Sequence, residues 1–162
     1  MEYFEKYFGI MGILVTFANG FILKFRSKKY IAERPELKEG YRKYFNGMVL
    51  YGNIPWVIMT IGNISGITKY TFEYFNPGTM NPMVLTFHAS IIFIWILSFR
   101  WIYFKNGAEF IEKHPGFLTK SSFSGNKNMT AKEIKIYFPL MLFGGIVAMI
   151  IMWVIEIPIP NW

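Results

Sequence analysis

The chain has 162 residues, of which 53% are hydrophobic and 20% aromatic, and its 17 Lys and Arg outnumber its 10 acidic residues. Cysteine is absent, which excludes disulfides, thiolate metal sites, iron–sulfur clusters and thiol catalysis. One membrane crossing takes about 20 apolar residues. We therefore expect a single domain whose length is filled by four membrane spans and their loops.

The apolar segments predict an all-α integral membrane protein with four transmembrane helices. The predicted spans cover about residues 3–23, 44–66, 82–100 and 136–155. The N-terminus lacks the basic stretch and the small-residue cleavage site of a signal peptide, so we expect the first span to be retained.

Positive charge is concentrated in two of the connecting segments. Every Lys and Arg except Lys6 and Lys69 lies within residues 24–43 or 100–135. Short cytoplasmic loops carry such an excess, which predicts a bacterial cytoplasmic (inner) membrane protein with loops 24–43 and 101–135 inside and both termini outside. The same rule, with anionic lipid head groups as the partner, accounts for the net charge of +7. We therefore expect no nucleic-acid partner.

Local signals predict where several helices begin. Pro35, followed by Glu36 and Glu39, favours a helix start in the first basic loop, and that helix is expected to continue past Pro55. Asn81 followed by Pro82 predicts the N-cap of the third span.

The second basic loop is expected to have three parts. The stretch Trp101–His114 predicts a helical extension along the membrane interface, and Thr119–Met129 predicts a flexible polar loop. Thr130 and Glu133 have the spacing of a capping box, which opens the helix of the fourth span.

The two halves of the chain resemble each other. The pattern Ile-Leu-x-Phe-Arg leaves the first span at Ile22–Arg26 and the third span at Ile96–Arg100, and a Tyr-Phe pair opens the second and fourth spans. The pattern predicts a tandem repeat of a two-helix hairpin, over residues 1–66 and 82–155. Such repeats are parallel, related by an axis along the membrane normal.

Four polar residues inside the spans form the candidate ligand site: His88, Asn53, Asn63 and Asn19. His88 is either a haem or other ligand and proton site, or a structural histidine bonded to a neighbouring helix. The asparagines either line a small site at a broken helix or make hydrogen bonds between helices. We expect no metal site and no cofactor.

Small residues and arginines suggest further contacts. Gly62 and Gly66 form a GxxxG motif, and Gly144 with Ala148 forms a similar pair, which favours close helix packing within the protein or between subunits. Arg26 and Arg100 leave their spans at equivalent positions. They either reach lipid head groups or form a paired anion site.

The outline resembles the MAPEG family of four-span, glutathione-dependent membrane enzymes. The family shares outward termini, a basic first loop and an Arg-x-x-x-Asn motif, which Arg42 and Asn46 match here. The family pattern then has a Glu three residues later, where this chain has Val49. The resemblance implies glutathione contacts at Arg42 and Asn46.

The favoured function is non-enzymatic. Few polar groups lie in the spans, and no reactive set of side chains is recognisable. We therefore expect an accessory or structural subunit of a membrane complex, or a self-associating oligomer, with another membrane protein or a second copy as partner. The alternatives are a small-solute channel or carrier and a MAPEG-like transferase.

Overall fold

The computed structural model describes residues 2–120 and 127–156, which form an almost wholly helical chain. The long helices are α1 (Glu2–Glu33), α2 (Lys38–Ser65), α3 (Pro82–Phe104) and α5 (Ala131–Val154), with a short helix α4 (Gly107–Lys113) before the last. Three 3-10 helices cover Pro35–Leu37, Thr71–Phe75 and Pro77–Thr79. The strands β1 (Thr119–Lys120) and β2 (Lys127–Asn128) pair antiparallel.

Three of the long helices are long and apolar enough to cross a membrane: α1 over Glu5–Glu33, α3 and α5. This supports an integral membrane protein. α2 was also expected to span, and it carries no charged residue from Tyr44 to Ser65. Three asparagines and Pro55 lower its hydropathy relative to the other helices.

α1 and α2 pack as a close antiparallel pair because glycines on α1 face large side chains on α2. Gly12 lies directly against the Trp56 ring, and a Cβ at Gly20 would come within 2.7 Å of the Phe45 ring. In between, Thr16 faces Gly52, where a Cβ would lie 3.3 Å from the threonine methyl group. Backbones approach this closely only where side chains are small.

The other two long helices pack one after the other beside this pair, first α3 and then α5. α3 packs on α2, where Met59, Tyr74 and Val84 form a buried apolar cluster. α5 packs on α3, where Trp95 covers Gly145. Within residues 2–120 and 127–156, α1 and α5 do not pack closely on each other, so the four long helices form a row with α1 and α5 at its ends.

Several expected helix starts are confirmed. Pro35 opens a 3-10 turn that leads directly into α2 at Lys38. The Asn81 Oδ1 accepts a hydrogen bond from the Met83 backbone N–H at 3.0 Å. Thr130 and Glu133 form the expected capping box at the start of α5.

The helical extension expected over Trp101–His114 is broken in two. Asn106 adopts a positive φ of 54° between α3 and α4, and Gly107 then folds back against Trp101. The polar loop that follows is paired at its ends as β1 and β2, and residues 121–126 lie outside the described residues.

Of the two glycines in the expected GxxxG packing motif, only Gly62 makes a packing contact within the described residues. Gly62 does make a close contact, with the Tyr74 hydroxyl. Gly66, however, is the C-cap of α2 with φ of 72°, and a Cβ there would touch nothing within 4 Å. It serves the left-handed turn that ends the helix.

The two hairpins of the expected repeat make different contacts. Aligning the two Ile-Leu-x-Phe-Arg patterns equates Thr16 with Ser90, and aligning the two Tyr-Phe pairs equates Gly52 with Gly145. Gly52 faces Thr16, whereas Gly145 faces Trp95 and not Ser90. The duplication therefore stays a prediction from sequence.

Gly12→Ala tests the glycine contact between α1 and α2. The added methyl group meets the Trp56 ring, and overpacking of this kind costs roughly 1–3 kcal/mol. Gly47→Ala is the matched control, because a Cβ at Gly47 would meet nothing within 4 Å and alanine favours a helix over glycine. We expect thermal unfolding in detergent to occur at a lower temperature for the first variant only. Equal midpoints for the two variants would contradict the packing described here.

Candidate functional site

A buried polar cluster lies at the end of the helices opposite the basic segments. It joins the start of α1, the end of α2, the connection between α2 and α3, and one residue of α3. We call it the Asn63 cluster, and its members are Glu5, Asn63, Thr68, Thr71, Tyr74 and His88. Each member is less than a tenth exposed.

Asn63 is the centre of this cluster. Its Nδ2 donates to the Glu5 carbonyl at 3.0 Å and to the Thr71 hydroxyl at 3.3 Å. Its Oδ1 accepts from the Thr68 hydroxyl at 2.7 Å. One amide thus joins α2 to α1 and to the connecting segment.

Glu5 closes the cluster from α1. Its carboxylate accepts a hydrogen bond from the Thr71 backbone N–H at 2.9 Å, and its backbone carbonyl accepts one from the Thr71 hydroxyl at 3.1 Å. Glu5 is only 8% exposed. It holds the first 3-10 turn of the connection in place.

His88 reaches the same segment from α3. Its Nε2 lies 2.9 Å from the Tyr74 carbonyl oxygen, and because a carbonyl only accepts, Nε2 donates. Nδ1 is buried and has no hydrogen-bond partner among the described residues. The ring also packs edge-on to Trp153 of α5, at 6.1 Å between centroids.

Tyr74 is fully buried beneath the connection. Burial raises the pKa of its hydroxyl above the ordinary value, so the group stays protonated. It donates to the Met59 carbonyl at 3.3 Å, at the point where Gly62 makes room for it. The connection between α2 and α3 is therefore a packed part of the protein.

The other two asparagines of the candidate site lie apart from this cluster. Asn53 is buried and donates to the Val49 carbonyl of its own helix at 2.8 Å, while its Oδ1 has no partner among the described residues. Asn19 is exposed on α1. The four expected site residues are thus divided among three places and do not line one path.

At the basic end, α4 and the chain after it pack on the start of α2. His114 is 5% exposed, its Nδ1 donates to the Phe110 carbonyl at 2.7 Å, and its ring lies against Gly40. Tyr41 donates from its hydroxyl to the Pro115 carbonyl at 2.8 Å, and burial raises its pKa to about 12. We call these residues, with the rings stacked on them, the His114 cluster; the added rings are Tyr44, Phe110 and Phe117.

The two candidate anion-binding arginines are not brought together. Arg26 lines a recess of about 650 Å³ with Lys28 and Lys29, across from Gly116 and Asn128. Arg100 lines a different cavity, between α3 and α5. Among the described residues, the two arginines thus line separate cavities, and the paired anion site stays a prediction.

The residues that carry the MAPEG resemblance lie on the surface of α2. Arg42 pairs with Glu39 at 2.9 Å, and this contact lowers the pKa of the Glu39 carboxyl. Asn46 is exposed one turn further along.

Comparison with protein-family models, curated proteins and solved structures finds no match.

The side chains of the Asn63 cluster mainly bind one another. Within the part of the chain that the structure describes, no three His, Asp or Glu side chains come together as a metal site. The polar atoms of the Asn63 cluster are mostly used by one another. The sequence could not identify Glu5 or Tyr74 as members, because their partners lie far away along the chain.

Asn63→Leu tests the role of the Asn63 cluster. The substitution removes the acceptor of the Thr68 hydroxyl and one of the two side-chain donors to the Glu5 carbonyl, and an unsatisfied buried polar group costs about 1–3 kcal/mol. Asn19→Leu is the control, since that side chain is exposed. We expect a large loss of thermal stability in detergent for Asn63→Leu alone. A stable Asn63→Leu protein would show that the cluster is not structural.

The His114 cluster predicts a pH dependence of stability. Burial lowers the pKa of His114 from 6.5, so the unfolded chain takes up its proton at a higher pH than the folded chain does. Stability should therefore fall as the pH drops below about 6.5. His114→Asn should show a smaller fall in unfolding temperature between pH 8 and pH 5 than the unaltered chain.

Lys113→Gln is the control for this measurement, because Lys113 is the exposed neighbour of His114. His88 is present in both variants, so the difference between them isolates His114. An unchanged pH dependence in His114→Asn would contradict the assignment.

Proposed function

We propose that this protein is a non-enzymatic, four-span membrane component that works as a subunit of a membrane assembly. Its partner is a transmembrane helix, supplied by a second copy or by another membrane protein. Both ends of the helix row are open for such a contact, and most polar side chains of the Asn63 cluster are engaged in structural hydrogen bonds.

One face of α5 carries this proposal. Residues on this face recur at helical spacing and are exposed along the whole helix: Tyr137, Leu140, Gly144, Ala148 and Ile151. We call it the Gly144 face. It points away from α3, and the apolar stretch of α5 has no buried residue in the described structure.

Two neighbouring glycines on α5 face different surroundings: Gly145 faces α3 of the same chain, and Gly144 faces away from it. At Gly145, a Cβ would come within 2.8 Å of the Trp95 ring, so contacts inside this chain require glycine. At Gly144, a Cβ would meet nothing within 4 Å. Glycine there is about 1 kcal/mol less favourable for the helix than alanine, and no contact within this chain requires it. Close approach of a helix from another molecule would require it.

The four-span topology is supported by the pairing of α2 with α1. Because α2 contacts α1 from Gly9 to Gly20, an α1 that spans the membrane places α2 in the membrane beside it. The uncharged stretch of α2 is long enough to cross. We propose that the basic end faces the cytoplasm of a bacterium, that both termini lie outside, and that the duplication of a hairpin produced this arrangement.

The alternatives receive less support. A channel or carrier would need Asn53, Asn63 and His88 along one path, and a MAPEG-like transferase would need Arg42 free of Glu39. Among the described residues, Asn63 and His88 are engaged within the Asn63 cluster, and Arg42 pairs with Glu39.

Single cysteines test the topology, because the chain has none of its own. Lys28→Cys, Lys69→Cys and Lys132→Cys are compared for labelling by a membrane-impermeant maleimide in intact and permeabilised cells. Four spans predict that Lys69→Cys reacts in intact cells and that the other two need permeabilisation. If α2 does not cross the membrane, position 69 will react on the same side as position 28.

Gly144→Ile tests the assembly. The bulkier side chain should remove the partner from material purified in mild detergent, or reduce the size of a homo-oligomer, while the unfolding temperature stays unchanged. Gly47→Ile on α2 is the matched control, since it also adds a side chain to open space. A protein that is monomeric and without partners before mutation would refute the proposal, as would an assembly unaffected by Gly144→Ile.

A further inference from the structure

A long apolar groove runs between α3 and α5, on the opposite side of α5 from the Gly144 face. Its volume is about 950 Å³. α3 and α5 contribute its aliphatic and aromatic walls, among them Ile92, Ile96, Phe99, Leu142, Ile146 and Trp153. Its floor is formed where Trp95 packs on Gly145.

The two ends of the groove differ. At the basic end, Arg100 and Lys105 line it. At the other end it stops at Ile92 and Trp153, near the edge-on contact between Trp153 and His88. A groove with apolar walls and two cations at one end matches a molecule with an apolar tail and an anionic head.

The length of the groove fits one leaflet of a bilayer. From Ile92 to Lys105, α3 rises about 20 Å, at about 1.5 Å per residue. The hydrocarbon core of a bilayer is about 30 Å thick, so one leaflet accounts for about 15 Å of it. A partner helix that crosses the membrane would need a groove along the full thickness.

The cations at the basic end are available to a ligand. The ion pairs of the described residues involve Arg42, Lys43, Lys120 and Lys135, and neither Arg100 nor Lys105. No carboxylate lines the groove. The nearby Glu109 is already paired with Lys135, which lowers the pKa of its carboxyl.

We propose that this groove binds one anionic phospholipid from the leaflet on the basic side of the membrane. Its phosphate group lies at Arg100 and Lys105, and its acyl chains lie along α3 and α5. α3 and α5 make few contacts with each other. The lipid fills the space between them and so fixes the position of α5. This inference does not depend on the Gly144 face or on a protein partner.

Lipid binding is measured by native mass spectrometry of the full-length protein in mild detergent, with added phosphatidylglycerol or phosphatidylcholine of identical chains. We expect one phosphatidylglycerol to bind on the order of tenfold more tightly than phosphatidylcholine, since each cation near an anionic head group contributes. The double variant Arg100→Gln/Lys105→Gln should lose this preference. Arg100→Lys, which keeps the charge, should retain it.

Two matched controls separate the groove from the surrounding surface. Lys127→Gln/Lys132→Gln removes the same charge from exposed positions outside the groove and should leave binding unchanged. Ile96→Trp fills the groove and should displace the lipid, whereas Phe93→Trp lies on α3 outside the lining and should not. Equal binding of the two lipids, a preference that survives the Arg100/Lys105 variant, or equal losses in Ile96→Trp and Phe93→Trp would overturn the proposal.

Discussion

The close contact of α1 with α2 is the interaction on which the rest of the structure depends. Gly9 and Gly12 let the backbone of α1 approach Thr60 and Trp56, and this brings Glu5 level with Asn63. Only at that separation can one asparagine amide reach both α1 and the connecting segment. The connection, in turn, positions Tyr74 for the hydrogen bond from His88 on α3.

The contacts become weaker from the first helix of the row to the last. α1, α2 and α3 share buried polar and apolar groups, whereas α5 touches α3 mainly through large rings and carries little buried surface. At the basic end, the Tyr103 hydroxyl donates to the Lys135 carbonyl at 2.6 Å, and Lys135 pairs with Glu109. The start of α5 is thus fixed, while the rest of it leaves the Gly144 face exposed and lines the groove beside α3.

The sequence predicted features that depend on near neighbours in the chain. The Asn81 cap, the Thr130–Glu133 capping box and the helix start at Pro35 follow from spacings of a few residues, and all are present. Apolar length predicted four spans, and three of those helices are long and apolar enough to cross a membrane. In α2, Asn46, Asn53 and Asn63 lower the hydropathy. One of these, Asn63, is the residue that holds the polar cluster together.

Features that depend on distant neighbours could not be predicted. Nothing in the spacing of Gly9 and Gly12 shows that Thr60 and Trp56 lie opposite them, and nothing near Glu5 shows that Thr71 buries it. Two other misses had local signals: the break at Asn106 falls at an Asn-Gly dipeptide, which is typical of a turn. Gly66 was assigned to packing, although its position at a helix end gives a local reason for glycine.

Disulfide cross-linking in native membranes tests the paired α1 and α2 most directly. The chain has no cysteine, so the pair Thr16→Cys/Gly52→Cys places two thiols within reach of each other at the centre of the contact. We expect this pair to oxidise readily to an intramolecular disulfide, and the pair Phe17→Cys/Gly52→Cys, displaced by one position around α1, to remain reduced. Absence of a cross-link at positions 16 and 52, or equal cross-linking of both pairs, would contradict the account.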